Sequence, residues 1–201
     1  MKEKYQHIEN AILEFQKGKM LIVVDDEDRE NEGDFIIAAD KATPDDINFM
    51  MKSGRGLLCI TIDNECSKRL DLSLMVQDNT SLHSTNFTVS VDATENVTTG
   101  ISAMDRWETV QVILDQESTP SSLCRPGHMF PLIAKDGGVL QRAGHTEAAL
   151  DLARLAGLKP ASLLVEIVDE DGKMARGKRL KEISKKYNLP LISIADLIQY
   201  R

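Results

Sequence analysis

The sequence has few cysteines and little positive charge. Its three cysteines, Cys59, Cys66 and Cys124, are odd in number and lack the paired short spacing of a zinc site or a redox motif. Reduced thiols in a cytosolic protein fit this pattern best. The formal net charge of -8 repels polyanions, which excludes nucleic acid and anionic membrane as partners of the whole surface. A small anionic substrate remains compatible with this charge if arginines line a local pocket.

Linkers, membrane spans and nucleotide-binding fingerprints are also absent. A chain of 201 residues can bury one sizeable core, and no segment rich in Pro, Gly or Ser divides it, so we expect a single domain over 1–201. The N-terminal MKEKYQHIENAILEFQKGK is charged throughout, which favours an amphipathic helix over a signal peptide or a membrane span. A cytoplasmic location follows. No P-loop or dinucleotide fingerprint is present.

An acidic run at residues 25–34, DDEDRENEGD, is the most informative feature that is present. It places seven carboxylates around Arg29, between the apolar runs MLIVV (20–24) and FIIAA (35–39). Two flanking strands would hold the cluster in place, so its mutual repulsion must be offset by a metal, an arginine or both. The alternative is a solvated acidic turn.

Two details favour a site over a solvated turn. Glu30, Glu32 and Asp34 alternate, so they share one face if the extended conformation of the following strand continues back through them. Arg29 keeps its charge, and its planar fork suits a carboxylate or a phosphate. An EF-hand loop is excluded, because Ala39 occupies the twelfth position, where a bidentate acid is required.

Periodicity and capping residues predict interleaved helices and strands. Helices are predicted before Gly18, from the Thr43 cap to Gly54, and over 102–114, 147–157, 177–187 and 195–201. Strands are predicted at 20–24, 35–39, 57–62, 87–91, 129–134 and 161–168, with a long polar loop at 77–85. The order lacks a regular βαβ period. It therefore predicts an α+β fold, a layered single domain of mixed sheets with flanking helices.

Glu166 lies in the middle of LLVEIV, a predicted strand that is apolar on both faces. An unpaired carboxylate there would cost several kcal/mol or stay protonated, and carboxylates with a raised pKa serve in proton transfer. The alternative is a position at the sheet edge with Glu166 facing water.

The segment RAGHT, residues 142–146, runs directly into a predicted helix. Free N–H groups and the helix dipole would make this N-terminus an anion site, with Arg142 and the Thr146 hydroxyl close by, and phosphate is the simplest ligand. His145 alone would more often be a capping or core residue, but beside an acidic cluster it becomes a candidate metal ligand.

His128 follows Pro126 and Gly127 directly before a predicted strand, a position that suits a general acid or base.

The chain resembles the 3,4-dihydroxy-2-butanone 4-phosphate synthase family of riboflavin biosynthesis. The resemblance runs from about residue 5 to the end, in family order, through DDEDRENEGD, FTVSVDA, TTGISAMDR, GHMFPL, GGVLQRAGHTEAALDLARLAGL and EIVDEDGKMAR. It implies conversion of D-ribulose 5-phosphate to formate and a four-carbon ketone phosphate, with magnesium, in a homodimer whose active sites lie near the subunit interface. It leaves open whether the protein continues into a GTP cyclohydrolase domain.

The resemblance also implies residue roles. Magnesium would be bound by Glu30 and His145, and proton transfer would be performed by His128 and Glu166. The substrate would be held by Arg29, Glu30, Asp34, Arg142, Ala143, Gly144, His145, Thr146 and Glu166. Cys59 and Thr99 lie in similar family segments without an assigned role.

This chemistry agrees with the residue types. Proton removal beside a carbonyl gives an enediolate, whose charge a divalent cation stabilises, and loss of water, a carbon shift and formate release then need repeated proton transfers. Magnesium needs few protein ligands, and manganese should also serve. A sugar-phosphate isomerase or aldolase, and a metal-binding module without turnover, are the alternatives. The chain departs from the family pattern at Asn86, Trp107 and Ile133.

Overall fold

The computed structural model describes residues 5–201, in which seven α-helices and seven β-strands alternate irregularly. The first four residues of the predicted N-terminal helix lie outside the described residues. The helices are α1 (Gln6–Gln16), α2 (Pro44–Ser53), α3 (Asn64–Arg69), α4 (Ala103–Leu114), α5 (His145–Leu155), α6 (Gly177–Tyr187) and α7 (Ile194–Tyr200). The strands are β1 (Leu21–Val24), β2 (Gly33–Ala38), β3 (Cys59–Ile62), β4 (Val91–Ala93), β5 (Leu123–Ile133), β6 (Ala161–Glu166) and β7 (Leu191–Ser193).

All seven strands join one mixed sheet in the order β4-β5-β3-β6-β2-β1-β7. The β1·β7 and β3·β5 pairs are parallel and the other pairs are antiparallel. The predicted α+β class with mixed strand directions is therefore confirmed. No helix within residues 5–201 has the length and apolar content needed to cross a membrane.

Helices cover both faces of the sheet, which is why the central strands are apolar on both sides. In β1, Ile22 packs with the cluster under α2, α4 and α6, whereas Leu21 and Val23 pack with the cluster under α1, α5 and α7. The same alternation holds in β2, where Phe35 and Ile36 belong to opposite clusters. The result is a helix–sheet–helix sandwich with two hydrophobic cores.

Helix ends follow the predicted capping signals. Thr43 and Asp46 form a reciprocal capping box at the start of α2, with Pro44 in the first turn. The Ser102 side chain accepts from the Asp105 N–H at the start of α4. Asn188 adopts the left-handed conformation, with φ 52°, directly after α6. These local signals explain why the helices begin and end close to their predicted positions.

Strand predictions at the β4 side of the sheet are wrong in detail. Residues 87–91 do not form the predicted strand, because Thr88 N donates to the Pro131 carbonyl whereas Val89 N donates to the Ser73 carbonyl. These alternate partners give isolated bridges, and β4 starts only at Val91. Strand β5 begins at Leu123, six residues before the predicted start, since β4 supplies a partner for Leu123 and Cys124.

Two short elements have no counterpart in the prediction. Helix α3 follows an Asp63 cap, and β7 pairs in parallel with β1 through the Ile22 and Leu191 register. Strand β6 ends at Glu166, two residues earlier than predicted. Long-range pairing defines the bounds of β6 and β7, and a periodicity argument does not detect it.

Asp105, buried in α4, anchors the loop that precedes the helix. Its carboxylate accepts from Thr98 N at 3.0 Å, Thr98 Oγ1 at 2.7 Å and Gly100 N at 3.0 Å. The Thr98 hydrogen bonds are the main reason that the pKa of Asp105 falls to about 2. The negative charge therefore stabilises the folded loop.

This interaction predicts a pH-dependent stability difference. Because the folded-state pKa lies below the ordinary value of 3.8, the contribution is complete above that value and is lost as pH falls toward about 2. Asp105→Asn should be less stable than wild type in urea at pH 6, and the difference should shrink between pH 4 and pH 2. The exposed Asp78→Asn is the matched control, and a difference that is constant from pH 6 to pH 2 would contradict the assignment.

Candidate active site

The acidic run forms a turn between β1 and β2 whose centre is the buried Asp25. Its carboxylate accepts from Glu30 N at 3.1 Å, Glu32 N at 2.8 Å and Arg29 Nη1 at 2.8 Å. Asp25 therefore satisfies the backbone donors of the turn and fixes Arg29. The two predicted flanking strands pair as an antiparallel hairpin.

The predicted extended conformation does not continue back from β2. Asn31 has φ 54°, in the left-handed region, and residues 27–30 form a turn, so only Asp34 of the three alternating acids lies in the strand. Glu30, Glu32 and Asp34 nevertheless line the same cavity of about 200 Å³. The three acids were expected to meet on one face of an extended strand. They meet instead because the turn folds over the end of the sheet.

Glu30 lies between Arg29 and two histidines. One of its oxygens, Oε2, is 2.8 Å from Arg29 Nη1 and 3.7 Å from His145 Nδ1, whereas Oε1 is 3.7 Å from His83 Nε2. The neighbouring His145 lowers the pKa of Glu30 to about 2, with Arg29 adding to the effect against the opposing effect of burial. Glu30 is therefore ionised at neutral pH.

Asp34 and His145 face each other at the start of α5. The Asp34 Oδ1 and His145 Nε2 atoms are 4.0 Å apart, and both are buried without a hydrogen-bond partner. Burial raises the pKa of Asp34 to about 7. For His145 burial opposes the charge, but Asp34 and Glu30 outweigh it and raise the pKa to about 9. These unpaired buried atoms point to a ligand that the site is built to receive.

The donor set suits a divalent cation. Asp25, Glu30 and His145 have potential ligand atoms within 4.8 Å of one another. Both Asp25 oxygens already accept N–H groups of the turn, so Glu30 and His145 are the better ligands. Two atoms bound to one magnesium ion at about 2.1 Å lie roughly 3 Å apart in octahedral geometry. Their 3.7 Å separation is thus close to what a shared cation requires.

Arg142 occupies the anion side of the cavity. Its Nε donates to the His83 carbonyl at 3.1 Å, Nη1 to Glu147 at 2.5 Å and Nη2 to Thr85 Oγ1 at 2.7 Å. A guanidinium has five N–H groups, so two of them are not used by these contacts. Helix α5 begins beside it, with Gly144 as N-cap and Thr146 lining the cavity. The predicted helix N-terminus with an adjacent arginine is therefore present.

The sequence offered two interpretations of Glu166, an unpaired carboxylate in mid-strand or a residue at a sheet edge, and both are wrong. It is the last residue of β6, opposite Asp34 in the β2 register, and accepts from Leu57 N at 2.7 Å. A Cβ on Gly56 would lie 2.4 Å from its Oε2, so glycine leaves room for this carboxylate. Glu166 lines the cavity together with Asp34.

His128 lies within β5 rather than directly before a strand. Its imidazole Nδ1 is 2.7 Å from the Asp92 carboxylate, and its side chain is 42% exposed. It is not among the residues lining the 200 Å³ cavity of the described chain. Ala143 and Gly144 are likewise outside that lining. The other predicted site residues line the cavity: Arg29, Glu30, Asp34, Arg142, His145, Thr146 and Glu166.

Several residues that line or border the cavity were not predicted from the sequence as site residues. Thr85 and Phe87 line it from the long polar loop and its end, where length alone suggested a functional segment. His83, which had no evident setting in the sequence, approaches Glu30. Cys59 is buried in the wall, and burial raises the pKa of its thiol well above the ordinary range. Thr99 is exposed and outside the lining.

The three departures from the family pattern lie outside the cavity lining. The Trp107 indole N–H donates to the Ala42 carbonyl at 3.0 Å, tying α4 to the segment before α2. Ile133 is buried at the end of β5, and its N–H donates to the Asn86 carbonyl. The Asn86 side chain accepts from Lys135 Nζ at 3.4 Å. All three therefore have structural contacts.

Known proteins resemble this chain over nearly its full length. "Riboflavin biosynthesis protein RibBA" of Porphyromonas gingivalis is 57% identical over 199 residues, which are 98% of this chain and 49% of that protein. A "3,4-dihydroxy-2-butanone 4-phosphate synthase" of Photobacterium phosphoreum is 53% identical over 193 residues, 96% of this chain and 53% of that protein. The chain thus spans about half the length of these relatives.

A solved structure shares the fold described above. It is a 3,4-dihydroxy-2-butanone 4-phosphate synthase in complex with two magnesium ions, similar at a TM-score of 0.93 and 39% identity over 96% of this chain and 95% of that one. Residues 9–200 also match the family profile of 3,4-dihydroxy-2-butanone 4-phosphate synthase. On this evidence the chain belongs to the 3,4-dihydroxy-2-butanone 4-phosphate synthase family.

Proposed function

We propose that this protein is a magnesium-dependent lyase of riboflavin biosynthesis that converts D-ribulose 5-phosphate to 3,4-dihydroxy-2-butanone 4-phosphate and formate. The observation that carries the proposal is the cavity itself. It combines a cation site at Glu30 and His145, an anion site at Arg142 and Thr146, and the Glu166 carboxylate. A phosphorylated sugar has the complementary groups: a dianion at one end and vicinal oxygens at the other.

The phosphate of the substrate binds at the start of α5. The helix dipole and the N–H groups of the first turn attract a dianion there, and the remaining N–H groups of Arg142 add charge-assisted hydrogen bonds. Arg29 is held by Asp25 and Glu30 at the opposite wall and contacts the sugar. These two arginines fix the substrate at both ends, so its reacting carbons face the acids between them.

Magnesium is the cation that we propose for Glu30 and His145, and manganese is expected to replace it. When bound, the cation polarises adjacent sugar oxygens and stabilises negative charge that develops on them. The solved relative in complex with two magnesium ions supports this choice. Asp34, buried beside His145, is a further carboxylate in this corner of the cavity, and a bound cation would favour its ionised form.

Proton transfers are performed by Glu166 and His128. Glu166 lines the cavity next to the sugar, where a carboxylate can remove the proton beside the carbonyl and leave an enediolate. Loss of water, migration of a carbon and release of formate each require a proton to be delivered or removed. His128 is the second acid–base group, with a half-exposed imidazole on a strand that holds its backbone fixed.

A homodimer explains why His128 does not line the cavity of its own chain. Exposed apolar side chains lie near both parts of the site. Leu74, Met75 and Val76 line a groove that shares Thr85 and Phe87 with the cavity, and Ile101 follows Gly100, which lies against His128. Exposed apolar groups of this kind mark protein interfaces. An isologous dimer that buries both patches would place His128 of one subunit against the cavity of the other.

We further propose that residues 1–201 act as one synthase domain in the cytoplasm.

Formate release tests the reaction. Wild-type protein with magnesium should release one formate per ribulose 5-phosphate consumed, and exhaustive chelation should abolish release. Glu30→Gln should lose turnover and bind Mn²⁺, followed by electron paramagnetic resonance, about tenfold more weakly or worse. The matched control is Glu27→Gln, which changes an exposed acid of the same turn. Carbon NMR that finds only five-carbon products would identify an isomerase, and full activity after chelation would refute the metal role.

Subunit complementation tests the shared site. His128→Ala and Glu30→Gln should each be inactive, but dissociated and reassociated mixtures should regain about a quarter of wild-type activity, because half of the dimers are mixed and each has one intact site. The two variants mixed without dissociation are the control. If reassociated mixtures that contain mixed dimers by native mass spectrometry stay inactive, His128 acts within its own chain and the proposal of a shared site fails.

A further inference from the structure

Asp92 and His128 form a pair that the reaction proposed above does not by itself require. The imidazole Nδ1 lies 2.7 Å from Asp92 Oδ2, and the backbone N–H of His128 donates to Asp92 Oδ1 at 2.8 Å. The carboxylate is 8% exposed, whereas the imidazole is 42% exposed. A buried carboxylate thus holds both the main chain and the ring of one half-exposed histidine.

We propose that Asp92 is a positioning residue that fixes the tautomer and the ring orientation of His128. A carboxylate accepts a hydrogen bond, so the neutral imidazole must carry its proton on Nδ1, and Nε2 is left unprotonated. Nε2 can then take a proton from substrate and return it. The same division of roles between carboxylate and imidazole operates in hydrolases, where the acid orients the histidine without itself exchanging protons with substrate.

The surrounding loop is shaped to hold this pair. Gly100 has φ +89°, and a Cβ there would lie 2.1 Å from Asp92 Oδ2 and 2.7 Å from His128 Nδ1. Any other residue would therefore displace the hydrogen bond. Asp105 holds the Gly100 N–H at 3.0 Å, and Arg106 Nη1 donates to the His128 carbonyl at 2.5 Å. The motif TTGISAMDR thus places its glycine against the imidazole, and its two charged residues hold the backbone of Gly100 and of His128.

A purely structural ion pair would have different properties. It would stabilise β4 against β5, and its loss would lower stability and leave the rate of the reaction unchanged. The double attachment of Asp92 to one residue, together with the exposed opposite side of the ring, favours positioning. The inference rests on the proposed function in that His128 is taken as a proton-transfer residue.

Nitrogen NMR of histidine-labelled protein tests the tautomer directly. The chain has four histidines, and His128→Gln identifies the relevant signals. In wild type above pH 8 we expect the Nδ1–H tautomer at His128, with an unprotonated Nε2. In Asp92→Asn we expect a mixture of tautomers, and in Asp92→Glu recovery of the wild-type form. If the wild-type spectrum shows the Nε2–H tautomer at His128, the inference is wrong, and no variant is needed to decide it.

Kinetics supply the second measurement. Asp92→Asn should lower kcat by about 100-fold or more with little change in KM for ribulose 5-phosphate, because substrate binding uses other residues. Asp92→Glu should restore much of kcat, and Asp78→Asn should behave as wild type. An active wild type whose Asp92→Asn variant keeps kcat would refute positioning. A wild type that releases no formate would refute the proposed function instead, and the NMR result would still decide the tautomer.

Discussion

The contact between Asp34 and His145 across the sheet–helix boundary is the interaction on which the site depends. The β2·β6 register sets Asp34 opposite Glu166, and α5 begins with His145 directly over this end of the sheet. Two titratable groups are thereby buried 4.0 Å apart with unpaired polar atoms. Burying these unpaired polar atoms lowers stability, and the packing on both faces of the sheet compensates for it by holding the strands and α5 in place.

Charge in the cavity is divided between two ends. Acidic groups collect where the turn after β1 meets β2, and their repulsion is partly offset by Arg29 and His145. At the other end Arg142 is paired with the buried Glu147, which fixes the orientation of the guanidinium and leaves two of its N–H groups for a ligand. A ligand with a dianion and vicinal oxygens complements both ends at once, which a simple acid or a simple phosphate does not.

Local sequence signals located much of the fold and of the site. Capping residues such as Thr43 and Ser102 predicted helix starts, because a side chain that satisfies backbone N–H groups acts within four residues. Charge crowding and a helix start indicated two segments of the site, the family resemblance selected Glu30 and His145 within them, and these two side chains lie 3.7 Å apart. Residue 87 onward was assigned wrongly, because its hydrogen-bond partners come from Ser73 and Pro131, and no local pattern records them.

The sequence by itself determined six of the seven α-helices in residues 5–201, the hairpin around the acidic run, the excess of acid at that point and the family resemblance, since each depends on neighbouring residues or on motif order. Only the tertiary structure decided that Asp25 serves the turn, that Glu166 ends its strand beside Leu57, and that Asp92 reaches His128 from another strand. The physical reason is that strand register and burial join residues far apart in the chain, and burial then sets which carboxylates stay charged.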